Sequence, residues 1–193
     1  MPDFFLRHPW PGIVAWSLLY ISDHTLTIWC ARLYRHGAGE KIVFEGSFEL
    51  NPLFQKEVDS LRWVSGRFLW LLVLTDVLIA LVWWLTWMSA PEPYSFLLGA
   101  VISIQLAVHV RHLRNLFLFR SMRGTDLVRG RIEYARFLIL RMSSVEFLAF
   151  SGLFAVLFAF TQSWFMLGGT FACFVTAAKN WRLARKHAAS KPS

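Results

Sequence analysis

Residues 68–88, FLWLLVLTDVLIALVWWLTWM, form an unbroken apolar run with a single ionisable side chain, Asp76. At about 1.5 Å per helical residue this run matches the roughly 30 Å hydrocarbon core of a bilayer. Working outward from it, four further apolar segments of comparable character appear, Pro11–Leu33, Tyr94–Leu113, Met142–Phe160 and the shorter Trp164–Ala178. The spacing predicts an all-α, polytopic integral membrane protein with five transmembrane helices, at about 11–33, 68–88, 94–113, 142–160 and 164–178. Residues 1–193 then make one membrane domain. Composition agrees: 193 residues that are 56% hydrophobic, with ten Trp and eighteen Phe, carry more apolar surface than a soluble domain of that size can bury.

Charge placement orients the helices. Of twenty Lys and Arg residues, Arg7 alone falls on one side of the five segments, and the rest lie in ends and loops on the other. Short basic loops resist translocation, so the N-terminus is expected outside and the C-terminus in the cytoplasm, in a plasma membrane of the bacterial inner-membrane type. Interfacial aromatics give the same sense, with Trp10, Trp83, Trp84, Trp87, Tyr94 and Trp164 at the outer boundary and Trp63, Trp70 and Trp181 at the inner one. The formal charge of +8 then meets anionic lipid headgroups, and nucleic acid is not expected as a partner. Met1–Pro11 lacks the pattern of a cleaved secretory signal, so the first helix is expected to remain. Cys30 and Cys173 sit within apolar segments and read as small packing residues.

The outer connections, 89–93 and 161–163, are minimal. The cytoplasmic segments 34–67, 114–141 and 179–193 carry the rest. Asn51-Pro52 reads as a helix N-cap followed by proline at the first helical position, with Glu49 beside it. Leu53, Phe54, Val58 and Leu61 then repeat at helical spacing, which predicts a helix lying on the inner membrane surface. Ile42-Val43-Phe44 and Phe48 flank Glu45-Gly46-Ser47, a tight turn that tucks apolar residues against the bundle. Between Arg111 and Arg141 there are eight arginines against Asp126 and Glu133, a net +6. Here the third span runs on to Gly124, and Thr125 or Asp126 caps a helix leading into the fourth, giving a basic helical hairpin. Its residues Arg111, Arg114, Arg120, Arg123, Arg129 and Arg131 would face headgroups or an acidic protein partner.

Small residues four apart mark close helix contacts, because backbones can approach where side chains are short. Gly99, Ser103 and Ala107 make one such face; Ser151, Ala155 and Ala159 a second; Gly169, Cys173 and Ala177 a third. They suit packing within the chain or in a homo-oligomer.

Function, on this reading, rests on ionisable residues inside the spans, each costly unless paired or hydrated. Asp23 and His24 fall in the first span, Asp76 in the second, His109 in the third and Glu146 in the fourth. Counting residues from each midpoint puts Asp23 and Asp76 within about 3 Å of the midplane and His109 and Glu146 about 7 to 8 Å toward the cytoplasm. Tyr20, Asp23, His24 and Thr27 share one helical face, and Gln105, His109 and His112 form a stripe on another. Two polar stripes facing inward, with Asp76 and Glu146, predict a cavity open to the cytoplasm. Structural pairs such as His109 with Glu146 or His24 with Asp76 would employ the same residues. No catalytic residue, metal site or cofactor is predicted, since phosphate-binding glycine loops, Cys-x-x-Cys pairs and a nucleophile elbow are absent.

Asp23-His24-Thr25-Leu26-Thr27 in the first span, followed by Phe48-Glu49-Leu50-Asn51-Pro52-Leu53 before the second, resembles small membrane-protein families that combine an intramembrane Asp with a Glu-x-Asn-Pro entry to helix two. Those families have no assigned activity. The resemblance implies only that Asp23, Glu49 and Asn51 act together.

The leading expectation is an oligomeric cation or proton channel or transporter using Asp23, His24, Asp76, Gln105, His109 and Glu146. A non-catalytic subunit binding a partner through small-residue faces and the basic surface is the alternative. A lipid-modifying enzyme, with Asp23, His24, Arg111 and Arg114 around a lipid phosphate, comes third, and enzymatic activity is the lesser expectation.

Overall fold

A computed structural model of the chain describes residues 6–46, 49, 54–122 and 129–189. Each apolar segment is one long helix: α1 (Trp10–Leu33), α3 (Gly66–Thr86), α4 (Glu92–Met122), α5 (Arg136–Thr161) and α6 (Trp164–Ala189). A short α2 (Gln55–Asp59) precedes α3. Of these, α3, α4 and α5 are long and apolar enough to cross a membrane, while α1 and α6 have 24 and 26 residues. The protein is therefore helical, with one exception. The three-residue strands β1 (Ile42–Phe44) and β2 (Ile132–Tyr134) pair in parallel, Ile42 opposite Ile132 and Phe44 opposite Tyr134.

That pair corrects two expectations. The turn-flanking residues Ile42–Phe44 form a strand, and the second arm of the basic hairpin is a strand at Ile132–Tyr134, with helix beginning only at Arg136. The first arm does run on as α4 to Met122, since Phe119 and Met122 are buried against Cys30, Ala38 and Ile42. Gly124, Thr125 and Asp126 lie outside the described residues. The Glu45 carboxylate accepts a hydrogen bond from the Arg136 backbone N–H at 2.9 Å. It thereby serves one of the unpaired donors in the first turn of α5 and ties β1 to that helix.

Helix α4 is central, packing on α1, α3 and α6, while α5 packs on α6. The α4–α6 contact is the closest. A methyl group at Gly99 would overlap the Phe165 carbonyl, and one at Gly168 would overlap the Phe96 carbonyl. One at Gly169 would come within 2.6 Å of the Ser103 hydroxyl. Here the two backbones touch, as they do where glycine permits it. Ser103, Ala107, Cys173 and Ala177 continue the buried seam. Of the second small-residue face, Ser151 is buried and donates to Thr170 O at 3.0 Å, whereas Ala159 is exposed. Ser144 donates to Ala177 O at 2.7 Å and Asn180 to Ser143 Oγ at 2.9 Å, so α5 and α6 are joined by short polar contacts as well.

Helix α3 lies at the edge. It buries only Phe68 and Ile79, while Leu69, Trp70, Val73, Leu74, Val77, Leu81, Trp84 and Leu85 are exposed. A contiguous apolar face of that extent is foreign to a water-facing surface and natural against lipid. Its start is capped by Ser65 Oγ, which accepts from Phe68 N at 3.1 Å.

The crossing makes a sharp test. Gly99→Ala and Gly168→Ala should each destabilise the folded protein by about 2 kcal/mol through overpacking. Gly152→Ala, whose added carbon meets nothing within 4 Å, should be neutral or mildly stabilising. Equilibrium unfolding in mixed detergent micelles measures all three.

Candidate functional site

Past the glycine crossing the helices leave space. A cavity of about 1030 Å³ is lined by α1, α4, α5 and α6, with residues of the β pair, Phe54 and Val58 contributing. Its lining on α4 runs from Ile104 to Phe119, about 22 Å of helix, and on α6 begins only at Thr176. Its walls are largely apolar: Ile104, Val108, Leu118, Ile139, Val145 and Phe147. Polar side chains on the lining include Tyr20, Asp23, His24, Gln105 and His112, and the basic Arg114, Arg141 and Lys179 line it as well.

The two polar stripes read from the sequence meet along α1 and α4. Ser22 Oγ lies 2.6 Å from His109 Nε2, and His109 Nδ1 lies 2.7 Å from Gln105 O. One turn further, Thr27 Oγ1 lies 3.1 Å from His112 Nε2, and Asp23 Oδ1 lies 3.2 Å from the same nitrogen. Thr27 Oγ1 also donates to Asp23 O at 2.9 Å, and Cys30 Sγ to His112 O at 3.5 Å. His24 stacks on Phe68 at 4.5 Å between ring centres.

Several polar atoms on the lining are buried without a hydrogen-bond partner among the described residues: Tyr20 OH, Asp23 Oδ1, His24 Nε2, Gln105 Oε1 and His112 Nδ1. Asp23 Oδ1 and His112 Nε2 are close enough for ionic attraction but not aligned for a hydrogen bond. Stranding one buried polar atom costs about 1–3 kcal/mol; Glu57 Oε2 and Tyr94 OH, outside the cavity, are likewise unpartnered among the described residues.

The lining also carries a charge cluster. Glu146 accepts from Arg111 Nε at 2.7 Å and from Arg114 Nη1 at 3.0 Å. Arg111, whose side chain is 16% exposed, also lies over the Phe147 ring at 4.7 Å. Two guanidiniums around one carboxylate leave a positive excess. Arg141 lies over Trp181 at 5.2 Å, and neither Arg141 nor Lys179 is paired with a carboxylate among the described residues.

Asp23, His24, Gln105, Glu146, Arg111 and Arg114 thus line one cavity. Asp76 does not line it: its oxygens accept from Ser17 Oγ at 2.9 and 3.2 Å, away from Asp23 and His24. His109 is engaged by Ser22 rather than by Glu146. Neither of the pairs His24–Asp76 and His109–Glu146 forms. Among the basic surface residues, Arg120 and Arg129 are exposed, Arg131 pairs with Glu133 at 2.8 Å, and Arg123 lies outside the described residues. Glu49 lines the cavity and its backbone oxygen accepts from Gln55 Nε2 at 3.0 Å, while Asn51 and Pro52 lie outside the described residues. Among the described residues no group of three His, Cys, Asp or Glu side chains is arranged to hold a metal ion. Sequence reasoning did not single out Arg141, Lys179 and Asn180 as site residues; nothing distinguishes the first two locally from interfacial basic residues. No protein family, curated protein or solved structure matches the chain.

Glu146→Ala should cost about 2 kcal/mol by stranding the partly buried Arg111 cation. Arg114→Ala, removing a side chain that is 58% exposed, should cost less than about 1 kcal/mol. Paired unfolding curves in detergent decide the order, and equal losses would contradict it.

Proposed function

We propose that this chain is a five-span membrane protein, N-terminus outside, that binds a small anionic amphiphile in a cavity reached from the cytoplasm. Nineteen basic residues on one side of the spans support the topology. The lengths of α1 and α6, each more than 30 Å at about 1.5 Å per residue, support counting them as crossings. The observation that carries the ligand reading is the cavity itself. Its walls are largely apolar, and its lining holds Arg141 and Lys179, without carboxylate partners among the described residues, beside an Arg111–Glu146–Arg114 cluster of net positive charge. An acidic headgroup meets those cations while its alkyl part lies along Val108, Val145 and Phe147. Predominantly hydrophobic pockets with a few converging polar groups are the usual form of a ligand site.

Passage of a bare cation draws less support, since Glu146 is neutralised by two arginines and Asp76 stands apart from the cavity. Proton movement along α1 and α4 is the second reading. It is favoured by one observation, the succession of Ser22–His109 and Asp23–His112 contacts on adjacent turns. Proton flux into liposomes that Asp23→Asn abolishes would support it.

Decyl phosphate should bind the protein purified in a neutral detergent and raise its melting temperature. The double substitution Arg141→Gln with Lys179→Gln should weaken binding about tenfold, equivalent to about 1.4 kcal/mol. The reading fails if decyl phosphate stabilises no more than decyl maltoside does, or if the double variant binds it equally well.

A further inference from the structure

The walls of the cavity differ from helix to helix. Helix α1 contributes Tyr20, Asp23, His24 and Thr27, with no aliphatic side chain among them. The cations Arg111, Arg114, Arg141 and Lys179 belong to α4, α5 and α6 instead, and α5 adds the exposed apolar Val145. The α1 wall is therefore polar without being cationic. An alkyl chain finds little there to pack against, and Asp23 repels a phosphate. Tyr20, His24 and His112 are each no more than 9% exposed. Of the seven buried side-chain polar atoms without a hydrogen-bond partner among the described residues, five lie on the α1 wall or on Gln105 and His112 of α4 beside it. Gln105 and His112 are about 10 Å apart along their helix. Since Arg111 and His112 are consecutive and Asp23 lies 3.2 Å from His112, this polar wall adjoins the Arg111–Glu146–Arg114 cluster directly.

We infer that the cavity selects an alkyl phosphate diester whose second substituent is a polyol, the phosphate on the basic residues, the alkyl chain along Val108 and Val145, and the polyol hydroxyls on the α1 wall with Gln105 and His112. This rests on the amphiphile reading above and names the class of headgroup within it. A hydroxyl both donates and accepts, so it serves the Asp23 carboxylate, the Tyr20 hydroxyl, the Gln105 carboxamide and either histidine, charged or neutral. Several polar groups spread over about 10 Å of helix suit several hydroxyls. An ammonium in their place would meet Asp23 and leave the others unsatisfied.

Decyl glyceryl phosphate and decyl propyl phosphate carry the same charge, have nearly the same shape, and differ only in two hydroxyls. On the whole chain in neutral detergent the glyceryl ester should bind about tenfold more tightly, the scale of one to two net hydrogen bonds. The aminoethyl ester should show no such gain over the propyl ester. Tyr20→Phe combined with Gln105→Leu removes two polar groups at little change of volume and should reduce the glyceryl-to-propyl preference to about twofold. His24→Phe, which keeps a ring against Phe68, is a second variant in which the preference should fall. The inference is overturned if the glyceryl and propyl esters bind equally, as they would on a wall that is merely hydrated. It is overturned equally if the aminoethyl ester matches the glyceryl ester, or if the preference persists undiminished in both variants. Decyl phosphate, measured alongside, keeps the two readings apart. Should it bind while the glyceryl ester has no advantage over the propyl ester, this inference alone fails. Should neither it nor any ester bind, the amphiphile reading fails and this inference with it.

Discussion

The contact of backbone with backbone at Gly99 and Gly168 constrains everything around it. With no side chain between them, α4 and α6 are as close as helices come, and the Phe96 and Phe165 carbonyls occupy the space a methyl group would need. Inside a bilayer, where lipid tails solvate apolar side chains as well as protein does, such intimate packing replaces the hydrophobic effect as the source of helix association. The cavity lies beyond this crossing. Its lining begins at Ile104 on α4 and Thr176 on α6.

The remaining contacts hold that space open in a defined shape. Ser22 and Thr27 reach histidines on α4, and Ser143 and Ser144 connect α5 with α6. At the other end Glu146 joins α5 to Arg111 and Arg114 of α4. The parallel strands draw the segment after α1 onto the segment before α5, with Phe44 between Tyr34 and Tyr134 at ring distances of 5.3 and 5.9 Å.

Much of this was legible before any coordinates. Each apolar run is one helix, because a run of that length leaves backbone groups no alternative to internal pairing in lipid. The stripes Tyr20, Asp23, His24, Thr27 and Gln105, His109, His112 follow from helical periodicity alone, and they do face each other. Partner choice was not legible. Residue counting placed His109 and Glu146 at similar depth, but the rotation of each helix decides contact, and rotation gave Glu146 to two arginines. Arg111 and Arg114 were equally compatible with headgroups, since long basic side chains can turn either way. The strands were hidden for a different reason. Three residues far apart in the chain carry no period, and Ile132–Tyr134 pairs only because the bundle brings it to Ile42–Phe44.

The central claim is a cavity inside the bundle that opens toward the cytoplasm and is filled by an amphiphile. Asn115 lies on its wall, while the native Cys30 and Cys173 are fully buried. The most direct measurement is the labelling of Asn115→Cys by a membrane-impermeant maleimide in vesicles of known and opposite orientation, with and without decyl phosphate. The account predicts rapid labelling from the cytoplasmic face, none from outside, and protection by the amphiphile. Labelling from the outer face, or no labelling from either face in a folded protein, would contradict it.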